Sequence, residues 1–313
     1  VTQKPLVLIA GPTASGKSAL AISFARLGSG EIINADASQV YRDLRILSAR
    51  PSVDDEQNVP HHLFGFMDGA QACSTALWRD HAVQVMDSVH QRDKLPIFVG
   101  GTGLYLRTLL LGIADVPEIA PAIRSEIRNL PIAALRTALA QEDAVIAERL
   151  NPADRQRQAR ALEVIRATGK SLLFWQQQKQ GGLLHRQDIG PILRIVLLPD
   201  RATLYARCDS RFQAMMAAGA LAEVAALKAR YLAPTLPVMK AVGVPELLAH
   251  LSGACSETES VAAATLATRH YAKRQYTWMR NQFGDWHRLE KFGERLVNAD
   301  LAILLREYGL TVK

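Results

Sequence analysis

The stretch Leu6-Val7-Leu8-Ile9-Ala10-Gly11-Pro12-Thr13-Ala14-Ser15-Gly16-Lys17-Ser18 decides how the chain begins to fold. Five apolar residues run into a G-x-x-x-x-G-K-S loop. An apolar-periodic run through Leu20, Phe24 and Leu27 comes next and stops at Gly28. That order predicts a strand, a glycine-rich turn and a helix. Glycines in the loop let backbone N–H groups turn inward around a phosphate, and the helix N-terminus adds partial positive charge. Lys17 supplies a full charge, and the Ser18 hydroxyl can ligate Mg²⁺ beside the phosphates. Gly11, Pro12, Thr13, Ala14, Ser15, Gly16, Lys17 and Ser18 are therefore the expected phosphate-binding set, with Ser18 as the candidate metal ligand. The loop specifies a di- or triphosphate and leaves open what carries it.

Further strands are predicted outward from this loop. Glu31-Ile32-Ile33-Asn34-Ala35 ends at Asp36, and Leu95-Pro96-Ile97-Phe98-Val99 ends in Gly100-Gly101-Thr102-Gly103. Short apolar strands separated by helical stretches imply an α/β fold, a P-loop-type parallel sheet flanked by helices. In such a sheet the binding residues lie at the carboxyl ends of the strands, where Lys17, Asp36 and Thr102 all fall. Asp36 can hold Mg²⁺, act as a base towards an acceptor, or cap the next helix. Thr102 can present its hydroxyl to the same cavity, or serve a tight turn.

From about Val116 the pattern changes to consecutive helices rich in Ala, Leu, Arg and Gln. One of them is expected to start at Asn151-Pro152, with Asp154 favouring the dipole, and to end at Gly169. Gln178 to Gly182 reads as a flexible linker, and Leu193 to Leu198 as a strand returning to the sheet. The expected domains are thus a P-loop core with C-terminal helices (1–115 and 189–313) and a helical insertion (116–188).

At 313 residues, with 49% apolar and 21% charged residues, the chain has ordinary globular composition and can bury a proper core. Cys73, Cys208 and Cys255 are odd in number and far apart, which excludes a disulfide framework or a CxxC metal site and fits a reducing cytosol. No apolar run approaches the ~18 residues of a membrane span, and Leu6–Ala10 is too short for a signal-peptide core. A cytoplasmic protein without membrane attachment is expected. His61-His62 lacks a third ligand and is read as structural or substrate-adjacent. Met215, Met216, Leu221, Val224 and Leu227 are read as core.

The formal charge of +7 is uneven, since residues 1–110 are neutral and the basic surplus lies behind them. A surplus away from the phosphate loop points to a second, larger polyanion. No acidic residue falls between Glu259 and Asp285. On a helix there, Arg269, Lys273 and Arg280 lie within about 40° of one another. Aromatics interleave with them, as on a surface that meets phosphates and stacks bases; a solvated basic face is the alternative. Arg157 and Arg160, three apart near a helix N-terminus, make better sense as anion contacts than as helix stabilisers. Of Arg207 and Arg211, four apart on a helix after 193–198, one guanidinium is expected to reach the phosphate pocket.

These segments together resemble the tRNA dimethylallyltransferases. The resemblance runs over almost the whole chain, through 11–18, Asp36 with Gln39-Val40-Tyr41, Val99-Gly100-Gly101-Thr102, Gln156-Arg157 with Arg160, Arg211-Phe212, and Lys273-Arg274-Gln275 with Thr277-Trp278. It implies that the loop holds dimethylallyl diphosphate with Mg²⁺ assisting, and that the prenyl group passes to N6 of an adenosine beside the anticodon of tRNA. The acceptor base would be flipped from its stack. It implies Asp36 as general base or hydrogen-bond acceptor for N6–H, Thr102 as a substrate contact and Arg211 as a cation on the leaving diphosphate. As tRNA contacts it implies Asp36, Ala37, Ser38, Gln39, Thr102, Arg124, Gln156, Arg157, Gln158, Ala159, Arg160, Lys240, Gly243, Arg269, Lys273, Arg274 and Arg280. A monomer is expected. The chain departs from the family pattern at Ala37, Arg45, Val244 and Pro245, while Arg50 keeps a cation. The alternatives are a P-loop kinase or ATPase, an isopentenyltransferase acting on free adenylate, and a non-catalytic RNA-binding protein.

Overall fold

The computed structural model describes residues 3–56, 59–290 and 298–308. Its strands are β1 Lys4–Ala10, β2 Gly30–Asn34, β3 His61–His62, β4 Leu95–Gly100, β5 Ile113–Ala114, β6 Lys179–Gln180, β7 Ile189–Leu197 and β8 His287–Leu289. Six of them form one sheet in the order β3-β2-β4-β1-β7-β8, and every neighbouring pair is parallel. β1 lies inside it, with Val7 opposite Ile97 of β4 and Leu193 of β7. Residues Leu6–Ala10 and all of β2 and β4 are buried, the state that uninterrupted apolar runs adopt in a sheet covered on both faces. The helix Lys17–Gly28 buries Leu20 and Phe24 against Val7, Ile9, Ile97 and Leu193.

Two compact units divide the chain. One comprises Val1–Thr108 with Gln187–Lys313, and the other Leu109–Arg186. The second unit packs helices Pro121–Asn129, Ile132–Glu142, Ala144–Arg149 and Arg155–Thr168 around Ile127, Leu135, Leu139, Ile146 and Leu162. Its β5 and β6 pair antiparallel, with Ile113 opposite Gln180. Two expectations are corrected here. Gln178–Gly182 is not a plain linker, because Lys179 and Gln180 are held by that pairing and a Cβ on Gly182 would press on the backbone of Leu111 and Gly112. The helix expected from Pro152 begins at Arg155. Asp154 caps it by accepting the Arg157 N–H at 3.1 Å, while Asn151 closes a preceding turn onto the Ala153 N–H. Its end at Gly169 (φ 68°) agrees with the sequence pattern. Among the described residues no helix is long and apolar enough to cross a membrane.

Candidate active site

The phosphate loop comes directly after the buried end of β1. Ala14 and Gly16 adopt positive φ (64° and 95°), which turns the backbone around before the helix starts at Lys17. No acidic residue sits in that helix's first turn, so its partial positive charge is left for an anion. Ser15 Oγ is buried and finds no hydrogen-bond partner among the described residues. Lys17 is buried, and burial pulls its ammonium down to about 8; Asp36 opposes that shift and Arg211 adds to it. A buried cation held this far below its ordinary value gains from a bound anion.

β2 delivers Asp36. Asn34 fixes the turn after the strand, its Oδ1 accepting the Asp36 N–H at 2.9 Å and its Nδ2 donating to the Asp36 carbonyl at 3.1 Å. The Asp36 carboxylate accepts three hydrogen bonds. Ser38 N–H (3.0 Å) and Ser38 Oγ (2.7 Å) reach Oδ1, and Gly101 N–H (3.2 Å) reaches Oδ2. Asp36 thus closes its own turn and still lines a cavity. The Ser38 hydroxyl therefore stands against the carboxylate. The turn after β4 packs directly on this one. Thr102 Oγ1 accepts the Ala37 N–H at 2.9 Å, and the Thr102 N–H donates to the Ala35 carbonyl at 3.2 Å.

Arg211 comes from the helix Arg201–Ala217, which succeeds β7, and donates to Thr13 Oγ1. Burial lowers its pKa, with Cys208 and Asp36 opposing. Arg207, one turn earlier, is exposed and does not line the cavity. That cavity, about 240 Å³, is lined on its polar side by Thr13, Lys17, Ser18, Asp36, Ser38, Gln39 and Arg211. Its apolar side is formed by Leu47, Phe212, Met215 and Val242, so Met215 serves both the core and the site. Gln39 is spent on structure, donating to the carbonyls of Ser48 and Ala49 at 2.9 Å each and holding that wall in place.

The long helix Glu257–Gln282 closes the site from above the strand ends. Thr268 and Tyr271 line the cavity; burial and then Asp36 push the Tyr271 phenol up, and its hydrogen bond with Thr102 works the other way. Gln275 binds the phosphate loop, and Trp278 sits where a Cβ on Gly103 would be. Sequence reasoning misses Tyr271 and Gln275 as site residues. A signal exists, since Thr268, Tyr271 and Gln275 repeat at helical spacing on the buried face, where polar groups need partners.

The remaining candidates are dispersed. Lys273, Arg274 and Arg280 are exposed on this helix, with the Arg274 guanidinium 5.8 Å from the Tyr271 ring. Arg269 is paired with Asp209 and is not part of an open stripe. Lys240 is exposed at the cavity, whereas Gly243 is buried at φ 93° under Leu47 and Phe212. In the helical unit Arg124, Gln156 and Arg157 are exposed, Arg157 lying 3.3 Å from Asp154. Arg160 lies 3.7 Å from the buried Glu163, which also binds Arg128 at 2.9 Å. Gln158 and Ala159 face inward. Ala159 joins the helical core, and the Gln158 amide donates to the carbonyls of Asn151 and Pro152, so neither side chain presents a surface to a polyanion. His62 is tied to Glu31 at 2.7 Å and Arg92 to the same carboxylate at 2.6 Å, and neither His61 nor His62 lines the cavity. Among the described residues no group of three or more His, Cys, Asp or Glu side chains could hold a metal.

The departures from the family pattern have structural uses. The Glu223 carboxylate accepts the backbone N–H groups of Arg45, Ile46 and Leu47 at 2.6–2.9 Å, and the Arg45 guanidinium donates to the Pro51 carbonyl. Arg50, which keeps the cation, lies against Gly65, where any Cβ would overlap its guanidinium. Val244 and Pro245 open the helix Val244–Leu251.

Comparison with known proteins adds identity to this geometry. The IPP transferase family profile matches residues 39–282, and an isopentenyl transferase profile matches residues 4–61. The chain is 54% identical to the tRNA dimethylallyltransferase of Sphingopyxis alaskensis over 98% of its own length and 100% of that protein's. It is 50% identical to that of Rhodospirillum rubrum, covering 98% and 92%. Among solved structures, the tRNA isopentenylpyrophosphate transferase of Bacillus halodurans superposes with a TM-score of 0.70 at 28% identity, over 98% of both chains. A eukaryotic dimethylallyltransferase solved acting on tRNA gives a TM-score of 0.83 at 27% identity, over 96% of this chain and 78% of that one.

Proposed function

The chain belongs to the IPP transferase family of tRNA dimethylallyltransferases, and from that premise we propose that it moves the dimethylallyl group of dimethylallyl diphosphate onto N6 of the adenosine 3′-adjacent to the anticodon of tRNA, releasing diphosphate. One observation carries the reading. Asp36, the buried Lys17 and the half-buried Arg211 line a single cavity of about 240 Å³, so a proton acceptor and an anion holder face the same small volume.

In the reaction the C1–O bond of the donor breaks and a C1–N6 bond forms. The electron pair of the broken bond leaves with diphosphate, and the surplus N6 proton goes to the Asp36 carboxylate. An aromatic amine is a weak nucleophile, so charge on the departing diphosphate governs the barrier. Lys17, Arg211 and the loop N–H groups meet that charge, each preorganised donor contributing on the order of 3 kcal/mol. Asp36, held by three donors of its own, contributes the ~10²–10⁴-fold of a positioned base. Thr102 is not among the residues lining the cavity and serves the site by holding the Asp36 turn. Leu47, Phe212 and Met215 suit an apolar prenyl tail and keep water away from it.

Magnesium fits this loop. The Ser18 hydroxyl lines the cavity, and Ser15 Oγ of the same loop is buried with no hydrogen-bond partner among the described residues. Ser18 would hold the ion, which would neutralise part of the diphosphate charge. Arg124, Arg157, Lys240, Lys273, Arg274 and Arg280 are the exposed cations we assign to the RNA phosphates. A tRNA acceptor suits a cytoplasmic setting.

Thermal protection tests the donor side. Dimethylallyl diphosphate or pyrophosphate is expected to raise the melting temperature at lower concentration than ATP. Tighter protection by ATP, with hydrolysis at turnover, would favour a kinase or ATPase instead.

A further inference from the structure

Gln275 is buried on the inner face of the helix Glu257–Gln282, and both ends of its amide are used. Its Oε1 accepts the Thr13 N–H of the phosphate loop at 2.8 Å. Its Nε2 donates to the Gly101 carbonyl at 2.9 Å. Gly101 in turn donates its N–H to Asp36 Oδ2 at 3.2 Å. The fit around Gly101 is tight, since a Cβ there would lie 2.8 Å from Asp36 Oδ2 and overlap the Gln275 amide.

One side chain from a distant helix therefore spans two strand-end loops, and the second loop carries a hydrogen bond to the carboxylate. Thr13 and Gly101 lie in irregular backbone, so the distance between the phosphate loop and Asp36 depends on what bridges them. Transfer requires the base and the leaving diphosphate to face one acceptor nitrogen. A displacement of about 1 Å in such an arrangement costs on the order of 10²-fold in rate.

We propose that Gln275 is a positioning residue that sets Asp36 relative to the diphosphate loop, acting on the transfer step through Asp36 and not on tRNA binding. The role rests on the prenyl-transfer reading. The exposed cations Lys273 and Arg274 lie on the same helix but outside the cavity, so tRNA affinity is separable from it.

A double-mutant cycle separates positioning from folding. Gln275→Met is nearly isosteric and deletes both bonds. Gln275→Asn keeps the amide but is one methylene too short to span both partners, and carries the same comparison if the methionine variant does not melt cooperatively. Each is made alone and with Asp36→Asn, and steady-state transfer is measured at saturating donor and varied tRNA. With Asp36 present, kcat is expected to fall roughly 10- to 100-fold while KM for tRNA stays within about two-fold. In the Asp36→Asn background the same changes should alter the residual rate less than about two-fold. An equal loss in both backgrounds, or near-normal kcat with Asp36 present, would overturn the proposal. A wild-type chain that makes no prenylated tRNA would overturn the functional reading itself and this role with it.

Discussion

Thr102 Oγ1 accepts the backbone N–H of Ala37 at 2.9 Å, so the turn that ends β4 holds the residue next to Asp36. The hydroxyl has a structural duty at the place where a substrate contact is expected. Thr102→Ser keeps the acceptor and should retain turnover within a few-fold. Thr102→Val keeps the shape, strands the Ala37 N–H and should lose at least ~10-fold in kcat, a cost near that of one buried unsatisfied donor. Steady-state transfer by the two variants checks this.

Asp36→Ala removes the proton acceptor together with the anchor of its own turn. Turnover should fall at least ~10²-fold, the lower range for a general base. Affinity for tRNA should stay within a few-fold. Near-normal turnover would leave Asp36 as a turn-closing residue only.

Lys17 sets a pH dependence. Its pKa of about 8 lies below its ordinary 10.5, so between those values the unfolded chain binds more protons than the folded one. This group therefore makes stability rise with pH across that window. Donor affinity runs the opposite way, because the diphosphate needs the ammonium. Binding of pyrophosphate should weaken as pH rises through about 8 and should take up protons there. Calorimetry in buffers of different ionisation heat measures the uptake, and Lys17→Ala should abolish it.

Much of this site is local in sequence. The glycine loop, its strand and its helix are contiguous, and Asp36 and Thr102 each stand behind a run of apolar residues, so all three positions are legible from pattern alone. The hidden parts depend on partners far along the chain. Gln275 meets Thr13 across 262 positions, and Arg269 meets Asp209 across 60, so neither role shows in local spacing. Gln158 sits within an arginine-rich stretch yet turns inward, because helical phase, set by the start at Arg155, decides its direction. The Glu223 carboxylate that gathers three N–H groups of residues 45–47 is likewise invisible until the two segments meet.

Salt dependence separates contacts to phosphate from solvated charge. Arg157 and Lys273 are exposed, one in each unit, whereas Arg269 is occupied by Asp209. Replacing Arg157 and Lys273 by Ala should each lower the slope of log affinity against log salt by roughly 0.7–0.9, and together by nearly twice that. Turnover at saturating tRNA should fall much less. Filter binding across a salt series gives the slopes, and unchanged slopes would make these two side chains a solvated face.

Transfer of a prenyl group to tRNA in the cavity between Lys17, Asp36 and Arg211 can be measured directly. Dimethylallyl diphosphate labelled in the prenyl group, with Mg²⁺, is incubated with the chain and either tRNA, AMP or no acceptor. The expected result is label on adenosine beside the anticodon in tRNA, little or none on AMP, and release of one diphosphate per group transferred. Label on AMP in preference to tRNA, or donor left intact while ATP is hydrolysed, would contradict it.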